Sequence, residues 1–223
     1  MIDYTLARSR RRTVAIYIRD GAVEVRAPLR TAKRDIDAFV ASKERWIAGK
    51  LAQSREQLRR RGEFALNYGG AVTLRGVEYA LTASGDGARA DTDNPFTLPP
   101  ELTPEQIRSE VVQIYRECAK RHLTERVAHF AGVMNAEPSA VKISGAKTRW
   151  GSCSGKKSLN FSWRLILADD GAIDYVVVHE LAHLTEMNHS ARFWRLVAGV
   201  LPDYRARQAR LRALQRKLGG EDY

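Results

Sequence analysis

His179-Glu180-Leu181-Ala182-His183, followed after five residues by His189, decides how the second half of this 223-residue chain is read. On an α-helix, residues four apart share a face, so His179 and His183 can direct their imidazoles at one metal ion. Glu180 is poorly placed to complete that coordination from the same line. It is well placed to hold and deprotonate a water on the ion. A helix that simply continued would carry a residue six positions beyond His183 roughly 240° away around the axis, so the chain must turn before His189. Asn188 is expected to make that turn, because Asn tolerates the left-handed conformation that commonly ends helices. Ser190 then offers an N-cap for a new helix containing Phe193, Trp194 and Val197. Three neutral imidazoles with one position left to water are the donor set of a catalytic zinc site, whereas structural sites close all four positions, usually with Cys. The expected cofactor is one Zn²⁺ held by His179, His183 and His189.

The surroundings strengthen this reading. Tyr175-Val176-Val177-Val178 before the motif, and Leu181, Ala182 and Leu184 within and after it, make the helix apolar on most sides. Burying two histidines and a glutamate without partners is costly. A metal removes that cost, and Glu180, which has no ligand role, is then explained as the catalytic carboxylate.

The chain is long enough to bury a sizeable core, and its 44% apolar content is ordinary for a globular protein. No stretch approaches the length of a membrane span, and Met1-Ile2-Asp3-Tyr4 lacks the basic-then-apolar order of a signal peptide, so a cytoplasmic location is expected with no membrane partner. Two cysteines, Cys118 and Cys153, fit free thiols in a reducing compartment. A formal net charge of +11 permits nucleic acid or nucleotide as a partner. The basic residues cluster at Arg8 to Arg12, Lys43 to Lys50, Arg55 to Arg61 and Arg205 to Lys217, without the interleaved aromatics of a single-strand binder.

Residues 1–98 read as an N-terminal α+β region. Alternating runs Thr13 to Ile18 and Ala22 to Arg26 flank a turn at Asp20-Gly21, which predicts a hairpin. Thr31 is expected to cap one long helix whose apolar residues Ile36, Phe39, Val40, Ile47 and Leu51 recur at helical spacing, with Trp46 packed beside them. Short runs from Phe64 to Leu98, broken by Gly69-Gly70, Gly76 and Gly85 to Gly87, read as strands and turns. Asn94-Pro95 and Pro99-Pro100 place the expected boundary with a second domain, residues 99–223. That domain opens with Thr103-Pro104-Glu105-Gln106, where Thr caps, Pro takes the first helical position and Gln completes a capping box. Ile107, Val111, Ile114, Cys118 and Val127 would face inward from this helix. Val141 to Ser144 and Leu159 to Trp163 read as strands, and Asp203 can cap a last basic helix.

Between those strands, Lys147-Thr148-Arg149-Trp150-Gly151-Ser152-Cys153 is dense in groups that bind anions or polarise oxygen. Arg149, or a backbone N–H near Gly151-Ser152, could face the metal and stabilise a developing oxyanion. The alternative is that Trp150 is a core residue and Arg149 pairs with a structural acid. Cys153 is a poor candidate for a nucleophile, since its potential His partners are better explained by metal. His122 and His129 favour packing or surface roles, and Asn160 is a buried polar residue that could contact the site.

Lys147 to Cys153, the strand Leu159 to Leu165, Ile173 to Leu184 and Asn188-His189-Ser190 through Phe193-Trp194 resemble the YgjP-like metallopeptidase family. The N-terminal hairpin, Val25 to Pro28 and Trp46-Ile47 also resemble it, so the likeness covers essentially the whole chain, with its specific part in the second half. It implies a zincin-like catalytic core with His179, His183 and His189 as ligands and Glu180 as general base. The chain is also similar to SprT-like and WLM-type proteases, some of which act on protein bound to DNA. Its third His falls at the metzincin spacing. Glu186, however, stands where metzincins have Gly, and no methionine follows Met187 to make a Met-turn.

The expected fold class is α+β, a strand-rich N-terminal region followed by a zincin-like helical core. The expected function is a zinc-dependent hydrolase, a metallopeptidase acting on a peptide or protein through a water activated by Glu180. A metal-dependent nucleotide (phosphoanhydride) hydrolase is the alternative, although phosphoryl sites usually recruit Mg²⁺ through carboxylates. A non-catalytic, metal-stabilised nucleic-acid-binding protein is the second.

Overall fold

The computed structural model describes residues 2–84, 94–219 and 223. The turn expected at Gly85 to Gly87 lies outside them. The chain forms two compact units, Met1–Phe64 with Arg216–Asp222, and Ala65–Gln215 with Tyr223.

In the first unit, β2 (Ala15–Arg19) and β3 (Ala22–Pro28) form the expected antiparallel hairpin. Asp20 and Gly21 both take positive φ, as the two-residue turn matching strand twist requires. A further strand, β1 (Thr5–Ser9), pairs parallel with β3, giving the order β1-β3-β2. Central β3 alternates, with Val23, Val25 and Ala27 buried beneath the helices. The single long helix expected here is two, α1 (Lys33–Ser42) and α2 (Glu44–Glu63), because Lys43 leaves helical geometry at φ −108°, ψ 9°. Ala32, not Thr31, occupies the N-cap and makes no side-chain cap bond. Ile36, Val40 and Ile47 complete the core, whereas Trp46 is 49% exposed rather than packed. Part of the basic surface is engaged locally. Arg8 donates to the carbonyls of Pro28, Leu29 and Thr31, and Arg59 and Arg60 pair with Glu56.

The second unit begins with a hairpin of β4 (Ala71–Leu74) and β5 (Val77–Ala80), then β6 (Thr82–Ala83) paired parallel with β7 (Thr97–Leu98). Helix α3 (Pro104–Met134) starts with the expected capping box on Thr103 and ends at Asn135 in the left-handed conformation. Its buried residues run from Ile107 through Val111, Tyr115 and Leu123 to Phe130, while Cys118 is only half-buried. The proline breaks near 95–100 interrupt local structure, yet the packing boundary falls at 64/65. Leu66, Val72, Leu81, Phe96 and Leu98 are buried, and the Phe96 ring meets Tyr115 of α3 at 5.3 Å, so residues 65–84 and 94–98 share a core with α3.

A further three-stranded sheet has the order β8-β10-β9, with β8 (Ala140–Ser144) parallel and β9 (Gly151–Cys153) antiparallel to central β10 (Ser158–Ser162). The expected loop after residue 147 thus ends in an edge strand. A 3₁₀ turn (Trp163–Leu167) leads into α4 (Asp170–Ala182), followed by α5 (Ala191–Val200) and α6 (Tyr204–Leu218).

Helix α4 is buried on nearly every side, through Ile173, Tyr175, Val176, Val177, Val178 and Leu181. Each such side chain contributes about 1.5–3 kcal/mol when fully withdrawn from water. Its start is acidic, matching the helix dipole. Asp169 caps the Ala172 N–H, and arginines from three elements hold the rest. Arg75 grips Asp170 at 2.5 and 2.7 Å, Arg126 of α3 pairs with Asp174 at 2.7 Å, and Arg210 of α6 meets Asp169 at 3.2 Å. The β4–β5 turn can approach this closely because Gly76, at φ +77°, carries no Cβ; one would lie 3.2 Å from the Asp169 Cβ. Among the described residues, no helix is long and apolar enough to cross a membrane.

Candidate metal centre

The last turn of α4 carries His179 and Glu180, and His183 is the C-cap residue. The chain then tightens at once, with the N–H of Leu184 bonded to the Leu181 carbonyl and those of Thr185 and Glu186 to the Ala182 carbonyl. This early closure turns the backbone. Asn188 is not among the non-glycine residues with positive φ, so the left-handed turn expected there is replaced by the tightened turn after Ala182. Ser190 caps α5 as expected, its hydroxyl accepting from the Phe193 N–H.

The turn brings His189 back to the helix. One ring nitrogen from each of His179, His183 and His189 lies within 4.8 Å of the others, and the Nε2 atoms of His179 and His189 are 3.0 Å apart. Ring centroids are separated by 4.9, 4.9 and 4.7 Å, a near-regular triangle. Beneath it sits the fully buried Phe193, whose centroid is 4.8, 4.6 and 4.7 Å from the three imidazoles. Sequence reading placed Phe193 in α5 but gave no sign that it forms the floor of the triangle. The periodicity of α5 could show only that it faces inward.

The protonation pattern suits a cation. His183 Nδ1 donates to the Glu186 carbonyl at 3.1 Å, because a carbonyl can only accept, and this leaves Nε2 with its lone pair free. Burial, with the neighbouring imidazoles, pushes His179 down to about 3. Burial also lowers His183, against the bond to Glu186. Both rings are therefore neutral near pH 7, as ligation demands. The Nε2 atoms of His179 and His189 face each other at 3.0 Å, close enough for one cation to accept a lone pair from each. The donor set fits a divalent ion that favours imidazole.

Glu180 is 6% exposed and lines a cleft of about 290 Å³ with His179, Tyr175, Trp150 and Gly151. Burial pushes its carboxyl up to about 7, opposed by the Arg149 charge. The carboxyl group lies directly on the β9 backbone. A Cβ on Gly151 would be 2.6 Å from Glu180 Oε1, so any other residue there would displace the Glu180 side chain. This dependence links residues 29 positions apart and leaves no local signal in the sequence. Arg149 is exposed, and its charge reaches Glu180; Trp150 is half-buried, lines the cleft, and its carbonyl accepts the Ser162 N–H at 2.8 Å. The loop thus borders the cleft that holds His179 and Glu180 through Trp150 and Gly151.

The other candidates lie elsewhere. Burial, then the nearby Glu180, raises the Cys153 thiol, which keeps it protonated. His122 Nε2 is 3.3 Å from Asp170 Oδ1, His129 packs on Phe130, and half-buried Asn160 pairs in register with Ser152 and Lys142. Helix α6, expected only as a basic terminal helix, supplies Gln208, Arg212 and Gln215 to the cleft wall.

A family model described as "YgjP-like, metallopeptidase domain" matches residues 12–214. No curated protein matches the sequence. Among solved structures, the metallopeptidase zymogen of Pyrococcus abyssi abylysin is similar at 25% identity and a TM-score of 0.39, covering 45% of this chain and 99% of that one. The metallopeptidase zymogen of Methanocaldococcus jannaschii jannalysin is similar at 21% identity and a TM-score of 0.37, covering 42% and 95%.

Proposed function

This chain belongs to the YgjP-like metallopeptidase family, and from that premise we propose that it is a zinc peptidase whose single ion is held by His179, His183 and His189, with Glu180 as general base. Convergence of three imidazoles beside a buried carboxylate in an open cleft carries the reading. When bound, the ion supplies Lewis acidity, polarising the scissile carbonyl and acidifying a water. Glu180 receives a proton from the attacking water as its oxygen bonds to the carbonyl carbon. The C–N bond then breaks, and Glu180 returns the proton to the leaving amine. A carboxyl whose affinity lies near neutrality suits both transfers. Arg149, at the rim, donates toward the carbonyl oxygen as it gains charge.

The test is hydrolysis of casein by zinc-loaded protein and by Glu180→Gln, with nucleoside triphosphates as the competing substrate. Glu180→Gln is expected to keep its zinc and lose at least ~10²–10⁴-fold in kcat, the size of a general-base contribution. Glu180-dependent phosphate or pyrophosphate release with casein untouched would establish phosphoanhydride hydrolysis instead.

A further inference from the structure

Helix α6 places Tyr204, Gln208, Leu211, Arg212 and Gln215 along one face, at spacings of four, three, one and three. Three contacts fix that face. Leu211 is 6% exposed, Gln208 Nε2 donates to the Tyr175 hydroxyl at 3.0 Å, and Tyr204 stacks on Trp194 at 5.3 Å. Gln208, Arg212 and Gln215 consequently stand on the wall of the cleft that contains His179 and Glu180.

Arg212 differs from Arg207 and Arg210 of the same helix. Arg207 pairs with Asp203 and Asp174, and Arg210 pairs with Asp169. Arg212 makes no ion pair among the described residues, and its charge reaches the Tyr175 phenol. Arg149, next in the chain to cleft-lining Trp150, is a second exposed cation whose charge reaches Glu180. Among the described residues lining the cleft, Glu180 is the only acid, and it is assigned to the chemistry. A guanidinium with free donors beside the reacting centre matches a carboxylate, which it can hold through two parallel bonds.

We propose that Arg212 is a specificity-determining residue that binds a carboxylate of the peptide substrate, so that the enzyme selects peptides with an acidic side chain or free C-terminus near the scissile bond. The inference rests on the peptidase reading. Its test uses the full-length zinc-loaded protein and matched peptides carrying Glu, Gln or Lys on either side of the cleaved bond, each with a free or an amidated C-terminus. Wild type is expected to favour a carboxylate by about fivefold to tenfold in kcat/KM, the size of a charge-assisted bond partly screened by water. Arg212→Gln should bring that ratio to about one, Arg212→Lys should keep part of it, and Arg212→Glu should shift preference to Lys. Lys120→Gln, which removes the same charge from the exposed surface of α3, should leave the ratio unchanged. An effect carried by internal Glu identifies a side-chain carboxylate, and one lost on amidation identifies the C-terminus; either supports the proposal. A preference that survives Arg212→Gln overturns it while leaving the peptidase reading intact. Failure of wild type to cleave any peptide overturns both.

Discussion

Helices α4 and α6 border the same cleft and differ in almost every physical respect. Helix α4 is apolar around most of its circumference, and the polar groups it buries, Glu180 and His183, stand out because burial of such groups demands a reason. Helix α6 is basic and largely exposed; among its residues only Leu211 is buried. Polar residues on such a helix need no explanation, so Gln208 and Arg212 give no signal until the fold sets them opposite His179. The chemistry therefore lies where sequence is most constrained, and the proposed selectivity where it is least constrained.

Four substitutions press on that contrast. The largest effect is expected from Gly151→Ala, whose Cβ would meet the Glu180 carboxyl group at 2.6–2.8 Å. A displaced general base should lower kcat on casein by about 10²-fold with zinc still bound, as misplacement by about 1 Å does elsewhere. Near-normal kcat would show that Glu180 is not held against β9. Phe193→Ala removes the floor under the three imidazoles and should destabilise the protein by about 3–5 kcal/mol, read as a fall in Tm, together with weaker zinc binding. Unchanged zinc affinity would reduce Phe193 to a core residue.

On the α6 side, Tyr175→Phe deletes only the bond from Gln208, so stability should fall by about 1 kcal/mol and kcat/KM by a small factor. A loss as great as that of Gly151→Ala would make the Tyr175 hydroxyl part of the chemistry. The smallest effect concerns Asp170, whose carboxyl is held below its ordinary value by the hydrogen bond from Arg75. A lowered folded-state value means that this stabilisation is present above the unfolded value and is lost as pH falls through the folded one. Asp170 is half exposed, so Asp170→Asn should cost under about 1 kcal/mol at neutral pH, and nothing at a pH below both values, in urea titrations at each pH.

What was legible in the sequence was local. The capping box on Thr103, the Asp20-Gly21 turn, Ser190 at the start of α5 and the spacing from His179 to His189 each act over a few residues, and each appears in the fold. The break at Lys43 was hidden because the apolar spacing of Ile36, Val40 and Ile47 continues across it. Strand β1 was missed because its parallel partner, β3, lies across the hairpin. The same reason hid the approach of Gly151 to Glu180 and the presence of α6 at the cleft. The sequence places the end of the metal helix at Asn188, whereas α4 ends at Ala182, because carbonyl capping by a tightened turn needs no special residue and leaves no signal.

Everything proposed for the cleft depends on the three histidines acting as one site. Zinc titration of the metal-free protein, followed by calorimetry with metal analysis of the isolated complex, tests this most directly. One tightly bound zinc per chain is expected, with His179→Ala, His183→Ala and His189→Ala each weakening it by orders of magnitude and abolishing casein hydrolysis. Stoichiometric zinc binding that persists undiminished in all three variants would contradict the account.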